Sequence, residues 1–242
     1  MSVARPAFYA LAPGGWRDYV TLLHPPYTLW HLSYVALGAG LAPRLHLGLL
    51  ALTLAAFALA LGVGAHALDE LRGRPLRTAI PTRTLAALAA VTIGAAAAIG
   101  VVVAFERTLW LLAFVAFGSF VVVAYNLELF GGRFHSDVWF AVAWGAFPVL
   151  TASFASAERV RPAALAGAVF AALLSVAQRK LSTQVRTIRR SAVHVDGSVR
   201  FADGRTQRLD AEELTRAPEA ALRALAAAAV AAAVAVLLLH VT

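Results

Sequence analysis

The sequence predicts an all-α polytopic membrane protein: a transmembrane bundle of about seven helices carrying a small cytosolic β-meander. Three observations predict it. Hydrophobic residues fill 60% of the 242 positions and charged residues only 14%, with a mean hydropathy of +0.73, whereas a soluble domain holds nearer one half and one quarter. The charges are gathered between long uncharged stretches rather than spread along the chain. Those stretches approach the roughly 20 residues with which a helix crosses about 30 Å of hydrocarbon while pairing every backbone amide internally.

In chain order the uncharged stretches run from Val20 to Pro43, Leu45 to Leu68, Thr84 to Phe105, Thr108 to Leu127, Val138 to Ala157, Pro162 to Gln178 and Ala224 to Thr242. The last two are short and rich in alanine. Linkers of a few residues, such as Arg44 alone or Glu106-Arg107, join them on one side and make consecutive helices antiparallel neighbours; the opposite linkers are longer and polar. Residues 1–190 therefore form the bundle, 191–217 a cytosolic loop subdomain and 218–242 the final helix. In the loop, Val193, Val195, Val199 and Phe201 alternate with polar residues, and Asp196-Gly197 and Asp203-Gly204 mark two hairpin turns. Asp210 with Glu213 reads as an N-cap pair opening a short helix, and Pro218 suits the first turn of the last span.

With alternating spans, seventeen of the 21 basic residues fall on one side and four on the other. That bias places the N-terminus in the cytoplasm and the C-terminus outside, with the plasma membrane of a prokaryote as the expected location. Pro6, Pro13, Gly14 and Gly15 interrupt any apolar leader, so no cleaved signal peptide is expected. The absence of cysteine excludes disulfides, thiolate metal sites and a catalytic thiol. The net charge of +8 suits anionic membrane lipids, and no nucleic-acid partner is expected.

Chemistry concentrates at the cytoplasmic end of the second span. His66, Asp69 and Glu70 stand at i, i+3 and i+4, a spacing that puts three potential ligands on one helical face. Arg72, Arg74 and Arg77 follow at once, supplying fork-shaped donors that suit phosphate oxygens. Asp69 and Glu70 are the candidate ligands of a Mg²⁺ ion, which prefers oxygen. The alternative is that these side chains only snorkel and pair at the interface. Mid-span His31 is expected to face the bundle interior, and His135 with Asp137 either lines the same mouth or forms an exposed loop pair.

Several segments taken in order resemble the UbiA-type intramembrane prenyltransferase superfamily. Leu23-His24-Pro25-Pro26-Tyr27-Thr28-Leu29-Trp30, with Gly38, resembles the family's first helix. Ala65-His66-Ala67-Leu68-Asp69 occupies the place of its first aspartate-rich motif, and Arg74-Pro75-Leu76 the segment after it. Tyr125-Asn126, Arg133 and Gly145 complete the likeness, which spans roughly residues 20 to 185. It implies a helical bundle whose cytoplasmic mouth binds an isoprenyl diphosphate through Mg²⁺ and whose lipid-open cavity holds the chain and a lipophilic acceptor. His66, Asp69 and Glu70 would be catalytic. Arg74, Arg133, Arg179, Lys180 and Arg186 would hold diphosphate, and Tyr125 and Asn126 would line the cavity. The second aspartate-rich motif is missing, and Gln178 to Arg186, without a carboxylate, stands in its place; the alternative is a non-catalytic relative that binds lipid or scaffolds a complex.

Overall fold

The computed structural model describes residues 5–241. After a short α1 (Trp16–Leu22) come α2 (Pro25–Gly40), α3 (Leu47–Leu71) and α4 (Thr82–Glu106). Then follow α5 (Leu111–Asn126), α6 (Asp137–Ala157), α7 (Pro162–Ser191) and α8 (Ala211–Leu238). Five of these, α3, α4, α6, α7 and α8, are long and apolar enough to cross a membrane. The two stretches that look short in sequence, the sixth and seventh, become the longest helices, with 30 and 28 residues. Each continues through charged turns beyond its apolar window. Conversely α2 and α5 hold only 16 residues, because Pro25 starts the first and a left-handed turn at Glu128 (φ 49°) follows the second.

Helices α2 and α6 form a central pair, with α3, α4 and α5 on one side and α7 and α8 on the other. Glycine permits the close approach. A Cβ on Gly38 of α2 would lie 2.3 Å from the Val149 carbonyl oxygen, and one on Gly145 of α6 would lie 2.7 Å from that of Ala171 in α7. Small residues play this part where lipid supplies no hydrophobic drive between helices and close backbone packing must do the work. Aromatic and branched side chains, among them Trp30, Tyr34, Val35 and Val149, fill what remains.

Two helices widen into π-helical turns, α3 at Ala58–Ala65 and α6 at Ala141–Ala146. Such turns leave carbonyls available to side chains and recur at functional sites. Here His31 Nδ1 donates to the Trp144 carbonyl at 2.9 Å.

The polar loop is simpler than the expected meander. Only the Asp203-Gly204 turn closes a hairpin, pairing β1 (Gly197–Arg200) with β2 (Thr206–Leu209). Val193, on the other side of Asp196-Gly197, is fully exposed and finds no strand to pair with. Asp210 does cap α8, accepting from the Glu213 amide at 2.8 Å. The helix it opens is the last span itself, running unbroken through Pro218. Proline lacks the amide that would bond the carbonyl four residues back, and Gln184 Nε2 reaches that Leu214 oxygen at 3.4 Å instead.

Candidate functional site: a basic cavity under an N-terminal strap

At the end of the bundle where the chain starts, a cavity of about 90 Å³ lies between α2, α3, α6 and α7. His24 and His31 reach it from the start of α2, His66 and Asp69 from α3, Phe140 and Trp144 from α6, and Gln178, Arg179, Arg186 and Arg190 from α7. The segment Pro6–Tyr9 lies across it.

His24 is held left-handed (φ 45°) immediately before Pro25, a conformation that the proline disfavours and that needs support from its surroundings. Stacking supplies part of it: its ring lies 4.0 Å from that of His66, tilted by 12°. Burial, then the neighbouring His66, holds the His24 imidazole well below the usual histidine range, so it is neutral at pH 7. Burial likewise pushes the Tyr9 hydroxyl up. Among the described residues, the buried His24 Nε2 and Gln178 Oε1 have no hydrogen-bond partner, although buried polar atoms nearly always find one. Both belong to residues lining this cavity.

The charge in the cavity is predominantly positive. Arg179 donates from Nε to Asp137 at 3.0 Å and from Nη1 to the Tyr125 hydroxyl at 2.6 Å, and its guanidinium rests over Phe140. Among the described residues no carboxylate bridges Arg186 or Arg190. Among the described residues, Asp69 is the only carboxylate lining the cavity. Two unbridged guanidinium groups suit an anionic oxygen-rich group, whereas the Gln178 Oε1 and the Asp69 carboxylate are acceptors and call for a donor or a cation beside it.

The structure thus brings together His66, Asp69, Arg179 and Arg186. It does not bring Glu70 to them. The Glu70 carboxylate turns away, accepting from the Leu76 and Thr78 amides and the Thr78 hydroxyl, each at 2.9 Å, and is fully buried. It organises the loop after α3, which wraps back over its own helix end. Arg74 serves the same loop through the Ile80 carbonyl and the Thr82 hydroxyl. Arg133 is exposed, and Lys180 points outward to Asp137 at 2.7 Å. Tyr125 stands beside the cavity as a partner of Arg179, whereas the Asn126 amide donates to the Val122 carbonyl of its own helix at 2.7 Å. His135 stacks on Tyr125 at 4.5 Å, outside the cavity. Sequence reasoning left His24 without a role and missed Arg190 and Tyr9; the histidine before a double proline was the one available signal.

A second cavity, about 110 Å³ and apolar, lies deeper between α3, α4, α5 and α6, lined by Phe57, Ile93, Gly100, Val115 and Phe147 among others. Trp144 borders both spaces. No family model, curated protein or solved structure matches the chain.

Proposed function

We propose that the protein is a UbiA-like membrane enzyme acting on an isoprenyl diphosphate, by prenyl transfer to a lipophilic acceptor or by cyclisation. The carrying observation is that Asp69 and the arginines of α7 line one cavity, although more than a hundred residues separate them in sequence. Arg179, Arg186 and Arg190 hold the diphosphate and neutralise the charge that grows as its bond to the prenyl carbon breaks. The prenyl chain runs past Trp144 toward the apolar cavity.

The protein groups alone do not build a Mg²⁺ cluster: among the described residues no three carboxylates or histidines converge as ligands, and Glu70 is committed to its loop. Among the described residues, Asp69 is the one side chain at the cavity that would serve as a protein ligand to a Mg²⁺ ion arriving with diphosphate, and such an ion would supply charge neutralisation there. The same scarcity of carboxylates favours the second reading, a UbiA-like lipid-binding or scaffold protein without catalysis.

Mass spectrometry of lipids extracted from the purified protein tests the substrate class, and an isoprenoid is the expected co-purifying species. Asp69→Asn is expected to fold normally and weaken Mg²⁺-dependent farnesyl diphosphate binding. Glu70→Gln should instead lower thermal stability by roughly 1–3 kcal/mol, since one buried amide or hydroxyl donor loses its acceptor. Normal binding in folded Asp69→Asn would sink the metal reading. The charge bias supports a cytoplasmic mouth, so a reporter fused after Thr242 is expected outside the cytoplasm, and a signal from inside would overturn that orientation.

A further inference from the structure

The cavity is roofed by the chain's own beginning, and the way that roof is held is uneven. Downstream it is anchored: the Leu11 amide donates to Thr21 Oγ1 and the Gly14 amide to Asp18 Oδ1, both at 3.0 Å. Asp18 in turn accepts from the Ala79 amide at 2.9 Å, which ties that anchor to the loop after α3. Upstream, one polar contact to the bundle is found among the described residues, from Arg190 Nε to the Pro6 carbonyl at 3.3 Å. The rest is aromatic. Tyr9 lies 5.3 Å from the His24 ring and 5.6 Å from Tyr27, and Arg223 of α8 sits over Phe8 at 5.1 Å.

Arg190 therefore faces two ways. Its Nε holds the strap while its side chain lines the cavity, and a guanidinium has four further N–H donors on its Nη atoms in a fixed fork. An anion on those Nη atoms fixes the plane of the fork and so orients Nε toward Pro6. The rotamer freedom of Arg190 is lost once for two contacts, which makes anion binding and strap closure mutually supportive.

We propose that Arg190, besides holding the headgroup, is the latch of a lid, so that a diphosphate group bound in the cavity closes Pro6–Tyr9 over itself. This rests on the diphosphate reading of the same cavity. Closure would exclude water from the diphosphate and strengthen the electrostatic contacts made to it.

The chain's lack of cysteine makes the test clean. Ala10, at the downstream end of the strap, 1% exposed and not among the cavity-lining residues, is changed to cysteine in the full chain. Its labelling by a water-soluble maleimide is then timed with and without inorganic diphosphate, whose binding is measured separately by calorimetry. Saturating diphosphate is expected to slow labelling roughly tenfold, and adding Arg190→Gln to speed ligand-free labelling by a similar factor and abolish the diphosphate effect, the scale of one charge-assisted hydrogen bond. If Ala10→Cys does not fold, Ala7→Cys on the same strap carries the ligand-free comparison. Diphosphate binding with unchanged labelling overturns the lid and leaves the headgroup reading standing, as does an unchanged ligand-free rate in Arg190→Gln. No diphosphate binding at all overturns the headgroup reading, and the lid with it.

Discussion

Gly38→Val is expected to abolish the folded protein in detergent, whereas Gly94→Ala should leave it intact. A Cβ on Gly38 meets the oxygen, Cα and carbonyl carbon of Val149 at 2.3, 2.8 and 2.9 Å. All three are backbone atoms of α6, so no rotamer change relieves the clash and the central pair must separate. Overpacking usually costs about 1–3 kcal/mol where side chains can yield; here the larger figure is a floor. Gly94 in α4 has nothing within 4 Å of the same construction. Size-exclusion profiles and thermal melts of the two variants check this, and a monodisperse Gly38→Val protein with an unshifted melting temperature would refute the close α2–α6 contact.

The second large effect concerns the α7 arginines. Arg179→Gln and Arg186→Gln are each expected to weaken farnesyl diphosphate binding about tenfold or more, as loss of a charge-assisted contact of roughly 1.5–3 kcal/mol implies. Lys180→Gln and Arg133→Gln should bind like wild type, because the Lys180 side chain is 70% exposed and Arg133 faces solvent. A positive-inside anchor would not discriminate among the four, since anchoring charge acts collectively at about 1 kcal/mol per residue. Equal titration curves for all four variants would move preference to the non-catalytic reading.

What the sequence made legible follows from the physics of its signals. Apolar length marks a helical membrane protein unmistakably, because lipid admits few alternatives. It marks helix ends poorly: α7 runs to Ser191 and α8 starts at Ala211 because charged residues continue a helix readily once it leaves the bilayer. Helical spacing put His66, Asp69 and Glu70 on one face, and the first two line the cavity. It misassigned Glu70, because a loop that doubles back, as residues 72–78 do, can reach a carboxylate on the flank of that face. Pro218 reads as a start when its neighbours are ignored, whereas the helix passes through it and the distant Gln184 takes up the carbonyl it leaves free. The strap was invisible for a similar reason. Pro6 to Tyr9 has no periodicity, and its contacts are with residues from His24 to Arg223.

The π-helical turn of α3 couples chain length to chemistry. It lies between Phe57, which lines the apolar cavity, and His66 and Asp69, which line the basic one. Each residue of an α-helix advances the side-chain direction by about 100°. A wide turn absorbs one residue more than an α-helix would use, so loss of a single residue between Ala58 and Ala65 with relaxation to α geometry would leave the imidazole and carboxylate near their present direction, whereas relaxation of the whole stretch to α geometry with no residue lost would swing them by more than a quarter turn off the cavity while the lipid-buried half of α3 kept its packing. The stretch Ala-Leu-Ala-Leu-Gly-Val-Gly-Ala carries no reactive group, yet its count sets the angular phase of the reactive groups that follow. A one-residue insertion there, which the wide turn could not also absorb, would re-aim the mouth without altering any side chain that lines the basic cavity.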